Sequence, residues 1–548
     1  MKYLLTGVAA ITMLTACGQK DKPVDAGSKS GIVFSEEKVP GFKVHSGDAA
    51  TAPAALAAMS LETSGSGNVS WSGKDLKGDK AVFTGVTLIS GTPKADDEDG
   101  MSLDADEDSF DLEGADLKAS KLEFEGLAMT DGKATFSHLV MSGVKLVPKD
   151  PEDAENGSGT IGTIELVNPS PETAAWVASL FTDKEAADLP KGDALAFDQW
   201  AVKDVDFRVD DPEGEEGSFK IGTIEVTGLK AQKAALMKLD GLTFDMTDQV
   251  EDTDLKMNLG SIEMRGANLA LMMNAGEDAE DMSKMMGLAS QDPANPGYES
   301  LSINGFDMDV AGVKLDLPKL VSAVGRDAKN SVVAVKTEPF KLSLTTGEGK
   351  YGEQLAGQLA TLGYEKLELN AAGYQTYDAA TDLTTYAKGQ NYWELKDGFR
   401  LDFGMSYAGA KAMAEAEQAQ ALQGDPSAML GNTLDKMVLH GMDLSLDDNG
   451  FMDRAFNAYA AQSGQDPKEV RNQLTGLMAM APMMAASSGI DPDLITEAST
   501  ALASFLTEPK TLNFKLAPVE PLNMAALAEM EDPSALTKET LGFSASNE

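Results

Sequence analysis

The chain has 548 residues, and 88 acidic side chains against 45 basic ones leave it with a formal net charge of −43. A surface this negative repels nucleic acid and anionic lipid headgroups, so neither is expected as a partner. Hydrophobic residues make up 42%, ordinary for a folded chain and too many for wholesale disorder, and the length allows about two to four domains.

At the start, Lys2 supplies one positive charge, Tyr3 to Leu14 is almost wholly apolar and small, and Leu14-Thr15-Ala16-Cys17 closes the segment. A charged start, a short apolar core and small residues at the cut describe an export signal. The apolar run of about a dozen residues falls short of the roughly 20 that span a bilayer as a helix. Its ending resembles the lipobox of bacterial lipoproteins. That resemblance implies removal of residues 1–16, a diacylglyceryl group on the sulfur of Cys17, and a membrane as partner through that lipid. Gly18 stands where the family's inner-membrane retention signal carries Asp, so the resemblance points to the outer membrane rather than the inner one. Cys17 is the only cysteine in the chain, which suits an oxidising compartment, where a spare thiol invites unwanted disulfides. The alternatives are a plain secretory signal that happens to end in cysteine, or a core cysteine.

Residues 17–55 mix Lys, Asp, Gly, Ser and Pro with little periodicity and read as a tether. The acidic patch Lys94 to Asp108 and the stretch Pro148 to Gly159 read as loops. From residue 56 to 445 the dominant signal is two-residue alternation, which argues for strands with one buried face. A glycine-centred pattern recurs, first as Leu122, Phe124, Gly126, Leu127, Met129 and then as Leu139, Met141, Gly143, Val144, Leu146. It returns at Leu301, Ile303, Gly305, Phe306, Met308 and at Met437, Leu439, Gly441, Met442, Leu444, with partial copies around Gly85, Gly228, Gly241 and Gly266. Ile161-Gly162-Thr163-Ile164-Glu165, Ile221-Gly222-Thr223-Ile224-Glu225 and Leu259-Gly260-Ser261-Ile262-Glu263 share a second wording. In the first pattern the apolar set changes phase across the glycine. A one-residue bulge there, with positive φ, returns both halves to one face; the alternative is a tight turn at each glycine. Either gives a repetitive antiparallel sheet bent at regular places. This habit resembles the AsmA-like β-groove proteins of the bacterial envelope, which implies a curved sheet with an apolar inner face over about residues 60–445. Those proteins usually sit on a transmembrane helix instead of a lipidated cysteine, and no functional residue carries over.

Helices are expected from Ser170-Pro171 through Phe181, near Pro318, and over about Ala408 to Leu422. Beyond Asp447, Asp466-Pro467, Asp491-Pro492 and Asp532-Pro533 each place a capping side chain before a proline, so residues 446–548 read as a helical C-terminal module. Thr511 to Leu516 alternates and reads as one returning strand. The wording of this end resembles that of uncharacterised exported proteins of proteobacteria, a likeness that supplies no activity.

Candidate chemistry is sparse. The chain has three histidines, His45, His138 and His440, and no His-x-x-x-His or Cys-x-x-Cys pair, so no metal site is expected from nitrogen or sulfur ligands. Asp104, Asp106 and Asp108 have the alternate spacing of a calcium loop, but Ser109 and Ala115 replace its glycine and its glutamate. Ser406, in Gly404-Met405-Ser406-Tyr407-Ala408, lies between a strand and an expected helix with Asp435 and His440 following, the order of a serine hydrolase; Ala408 replaces the second glycine of that motif. Ser64-Gly65-Ser66-Gly67 lacks the lysine of a phosphate-binding loop. Methionine clusters (Met272-Met273, Met285-Met286, and Met478, Met480, Met483, Met484) read as adaptable packing that also suits a lipid chain. The run Tyr374, Tyr377, Tyr386, Tyr392, Trp393, Tyr407 reads as strand surface.

The expectation is therefore an α+β chain: an elongated, curved, repetitive antiparallel β-sheet with inserted helices and a helical C-terminal module. It is expected to be non-catalytic and without a cofactor, anchored in the bacterial envelope through Cys17, and to bind lipid or an envelope protein on an apolar sheet face. A cell-surface structural or adhesive lipoprotein is the alternative, with a Ser406 hydrolase behind it.

Overall fold

The computed structural model describes residues 31–34, 38–89, 115–148, 157–182, 189–210, 215–248, 253–269, 292–421, 436–485, 490–528 and 536–548. The fold is mostly antiparallel β-sheet with helices. One compact unit comprises Glu37–Ala270 with Met308–Val310, and the other comprises the rest of the chain. The sequence placed a division at residue 446. The strand Val438–Asp448 instead pairs with Phe399–Ala408 on one side and Thr511–Leu516 on the other, so backbone hydrogen bonds run through the expected boundary.

In the first unit eight strands follow one another as antiparallel neighbours: Lys80–Leu88, Ala115–Glu125, His138–Pro148, Gly157–Val167, Phe197–Asp210, Glu215–Leu229, Lys233–Asp248 and Thr253–Asn268. Every strand changes phase at the same transverse row, occupied in strand order by Gly85, Ser120, Gly143, Gly162, Asp204, Gly222, Gly241 and Gly260. The flanking pairs Thr84↔Lys121 and Val86↔Ala119 show the arrangement: the register is the same on both sides, and Gly85 and Ser120 face each other without pairing. The left-handed residues stand in alternate strands, at Gly85 (φ +58°), Gly143 (+59°), Asp204 (+55°) and Gly241 (+67°).

Six residues along each strand lies a second row, Gly126, Ser137, Asn168, Asp198, Gly228, Ala235 and Gly266. Here the left-handed residues occupy the other set of strands, at Gly126 (+69°), Asn168 (+46°), Gly228 (+66°) and Gly266 (+61°). The expected left-handed glycine and the expected return to one face are both found, and the strands continue through Gly85, Gly143, Gly228, Gly241 and Gly266; the strand Ala115–Glu125 instead ends at Gly126, and the chain turns there into the separate pair Ala128–Thr130 and Lys133–Thr135. The expected insertion is not found in this unit, because neighbouring strands break phase together and no residue is left over. An insertion occurs in the other unit at His440, between the pairs Ser406↔Gly441 and Tyr407↔Leu439.

The consequence is an apolar face that survives the phase change. On one side of the first row, Phe83, Leu122, Met141, Ile164, Val202, Ile224, Leu239 and Ile262 are register partners. On the other side, Val86, Ala119, Val144, Ile161, Val205 and Ile221 continue the same face, with Leu242 paired to Leu259. Over the early strands this face is a closed core. Phe83, Leu122 and Phe124 are fully buried against the helices Ala52–Ala58 and Pro171–Ser179. Over the later strands the equivalent Ile224, Leu239, Phe244, Met257 and Ile262 are half-buried.

The stretch expected as a tether is partly built into the fold. Val33–Phe34 pairs with Gly325 and Arg326 in the other unit's sheet, and Pro40–Asp48 packs along the second row. Nδ2 of Asn168 donates to the Lys43 carbonyl at 2.7 Å, Oδ1 of Asn168 accepts from the His45 amide at 3.1 Å, and Asp79 Oδ2 accepts from the Gly47 amide at 2.8 Å.

In the other unit, Val313–Arg326, Val332–Thr346, Leu367–Asp378, the short Leu383–Tyr386 and Tyr392–Leu395, Phe399–Ala408, Val438–Asp448, Thr511–Leu516 and Ser544–Asn547 form successive antiparallel pairs. The helix expected near Pro318 is a strand. Pro318 falls between the pairs Asp316↔Ser343 and Ser322↔Thr337, where its missing N–H costs no ladder bond. Helices Pro467–Ala485 and Pro492–Thr507 form as expected, with the Asp491 side chain accepting from the Asp493 amide ahead of Pro492; Phe451–Ser463 is a further helix, and Asp532-Pro533 lies outside the described residues. The helix Lys350–Thr361 was not foreseen.

A β-branched side chain at a left-handed position is strained by about 1–3 kcal/mol, and a Cβ at Gly143 meets Ser120 Oγ at 2.6 Å. Gly143→Val is expected to lower the unfolding free energy of the chain by about 2–3 kcal/mol in urea titrations, whereas Asp204→Gly, which relieves a left-handed non-glycine residue, leaves it unchanged or slightly raised.

Candidate functional site

The first row also forms a groove. Residues 145, 160, 206, 220 and 243 make one register row beside it, Lys145↔Thr160↔Asp206↔Lys220↔Thr243. Strand alternation turns this row away from Val144, Ile161, Val205 and Ile221, so it belongs to the polar face. Across the phase break, Ser142, Thr163, Lys203, Thr223 and Asp240 form the next polar row. Between the two rows lie Gly143, Gly162, Gly222 and Gly241 with no side chains, and an open groove of about 600 Å³ crosses five strands there, lined by the row from Lys145 to Thr243, the glycines and Asp204, and by Val144, Ile161, Val205 and Ile221. Glycine is required at 162 because its Cβ would stand 2.7 Å from the Asp204 Cβ.

Charges on this face are mostly paired. Asp206 bonds Lys220 at 3.1 Å; burial pushes its carboxyl up, but Lys220 and Arg208 outweigh burial and hold it below the ordinary range. Glu165 is held down in the same way: burial opposes, while His138 at 3.0 Å and Lys203 at 3.1 Å prevail. His138 is thereby a partner of a structural carboxylate. The Asp204 carboxylate, exposed on the groove floor, has no hydrogen bond or ion pair among the described residues.

Cys17, the Asp104–Asp108 loop, Asp435 and the methionines at 272, 273, 285 and 286 lie outside the described residues. His45 is exposed and engaged through its backbone, and His440 is the exposed extra residue of the bulge. Among the described residues no group of three His, Cys, Asp or Glu could hold a metal ion. Ser406 was expected at a strand-to-helix turn. It lies within the strand Phe399–Ala408, paired to Thr385 and Gly441, with its Oγ 3.2 Å from Thr385 Oγ1, and the helix starts only at Ala410. The strand continues because Tyr407 and Ala408 keep partners on both neighbours, which removes the sharp turn a nucleophile elbow needs.

The tyrosine run is packed, not presented. Tyr386 stacks on Tyr407 with centroids 6.4 Å apart, the Arg400 guanidinium covers Tyr392 at 3.6 Å, and the Tyr377 hydroxyl donates to Asp382. Burial first, then Asp382, pushes the Tyr377 hydroxyl up to about 12. No sequence signal pointed to Glu368, the most perturbed carboxylate among the described residues. It is 8% exposed and bonded by Lys341 and Lys366 at 2.7 Å and Lys396 at 2.9 Å, which together hold it far below the carboxylate range. A carboxylate so saturated with cations has no capacity left for proton transfer, and its role is to tie three segments together.

A family model described as an uncharacterized protein matches residues 392–548, the C-terminal strands and helices. No curated protein matches the chain.

Because the folded Glu368 carboxyl is depressed, its contribution is complete above the ordinary glutamate value of about 4.3 and fades as pH falls below it. Glu368→Gln should therefore unfold several degrees below the parent at pH 7, and thermal unfolding as a function of pH should show the gap narrowing from about pH 4 downward. A fluorophosphonate probe is expected to give the same signal on the wild type and on Ser406→Ala.

Proposed function

We propose that this chain is a non-catalytic lipoprotein of the bacterial envelope. Cys17 carries the lipid, the outer membrane is its site, and the folded part faces the periplasm as an elongated, curved sheet with a helical C-terminal module. Its work is to hold lipid or an envelope protein on the apolar sheet face. The single observation that supports this reading is the continuous apolar face of the strands Phe197–Asp210 to Thr253–Asn268. Register partners such as Val226, Met237 and Met264 are there only half-buried, whereas the same rows at Phe124 and Leu139 are closed under helices. Interrupted by no charge, such a face exceeds what a water-facing sheet needs. Its methionines can adapt to ligands of differing shape.

Organic extraction of the purified mature protein followed by mass spectrometry is expected to recover non-covalent lipid from the wild type, and severalfold less from Leu239→Lys. Cys17→Ser should keep that lipid yet leave the detergent phase. A Cys17→Ser protein that still partitions with detergent removes the anchor, and a lipid-free wild type removes lipid as the occupant of the face.

A further inference from the structure

The two transverse rows share their alternating left-handed residues, and one of them already holds a peptide, although the strands Ala115–Glu125, His138–Pro148 and Gly157–Val167 end at that row and only the first row is crossed by all its strands. Along the second row the segment Pro40–Gly47 lies across the strands: Pro40 against Gly228, Lys43 and His45 on Asn168, Gly47 against Gly126. A Cβ at Gly228 would stand 3.1 Å from the Pro40 ring, and one at Gly126 would stand 2.8 Å from the His45 carbonyl oxygen. Those contacts run from strand Glu215–Leu229 to strand Ala115–Glu125, four inter-strand steps of about 4.8 Å, or about 19 Å. The seven residue-to-residue steps from Pro40 to Gly47 reach about 23 Å when extended, so the segment is nearly straight. The clamp is Asn168, the one non-glycine among the left-handed residues of that row; its side chain satisfies a carbonyl and an amide of the crossing backbone.

The first row repeats each of these parts. Its groove also crosses five strands, its floor is glycine, and the one non-glycine among its left-handed residues is again an Asx residue, Asp204. Both rows follow the same local order of apolar, polar, row residue, apolar: Phe124-Glu125-Gly126-Leu127 in one and Met141-Ser142-Gly143-Val144 in the other. Both therefore open on the polar face. We propose that the first groove binds an extended peptide segment of a partner protein, about eight residues long and laid across the strands as Pro40–Gly47 is laid across the second row. Asn168 can give and take a hydrogen bond, whereas the Asp204 carboxylate only accepts. It thus selects a backbone amide together with a lysine or arginine, a preference that rests on Asp204 alone, since Lys220 is paired with Asp206 and Lys145 lines the same groove. The site is on the opposite face from the proposed lipid surface, and its test does not depend on lipidation.

Phage-displayed random 12-residue peptides panned on the full mature chain test this directly. Peptides containing lysine or arginine should be enriched, and by calorimetry should bind at least tenfold more weakly to Asp204→Asn. They should also bind at least tenfold more weakly to Thr160→Trp or Lys220→Trp, which fill the groove from exposed positions; equal unfolding midpoints confirm that these variants fold. No enrichment on the wild type, or equal affinity for the wild type and both tryptophan variants, overturns the proposal. So does self-association of the chain that is lost in Thr160→Trp, since the groove's occupant is then a second copy.

Discussion

A strand shows each face every second residue, so one extra step exchanges its faces for all that follows. Long amphipathic strands such as Lys233–Asp248 here contain such a step, and the structure depends on its being taken in every strand at the same place. Where one strand turns left-handed at Gly143, its neighbours change phase with it at Ser120 and Gly162, which face it without pairing. Phase, not register, is what changes, and the ladder of hydrogen bonds closes again on the far side. The apolar rows on one face and the charged rows on the other both follow from that shared break. Staggering the left-handed residues, with one row using every second strand and the next row using the others, lets the extended neighbour of each kinked strand support it.

Much of this was legible in the sequence, because glycine is the residue that reaches positive φ without strain. The apolar phase change around Gly126, Gly143, Gly228, Gly241 and Gly266 therefore announced itself. Asp204 and Asn168 did not, since a short polar side chain that tolerates the left-handed region leaves no gap in the composition. Trp200, Val202, Val205 and Phe207 carry the same phase change around Asp204 and could have revealed it. The two wordings, Gly after two alternating apolar residues and Ile-Gly-Thr-Ile-Glu, proved to be the two facing partners of one row. That relation is between strands, and one strand's sequence cannot state it. Likewise, Pro40–Gly47 has the composition of a linker, because what holds it is backbone, reached by Asn168 and Asp79 from far along the chain.

Of the candidate site, the sequence showed ingredients without their placement. Ser406 looked like a nucleophile only while its strand was thought to stop before it. Glu368 was invisible because its three lysines come from different segments. The glycine-floored groove needed the register of five strands before it existed. Under the two proposals the faces divide the labour: apolar rows for a greasy ligand, and the polar groove for a crossing chain. The C-terminal strands and helices, where the family match falls, complete the second unit and contribute no residue to either face.

The shared phase break is tested most directly by cysteine scanning from Met237 to Met246 in a Cys17→Ser background, which leaves no other thiol. An environment-sensitive thiol fluorophore reads each position. The account requires apolar, blue-shifted emission at 237, 239, 242, 244 and 246, and water-like emission at 238, 240, 243 and 245, with a three-residue step across Gly241. Unbroken alternation through 241, 243 and 245 would contradict it.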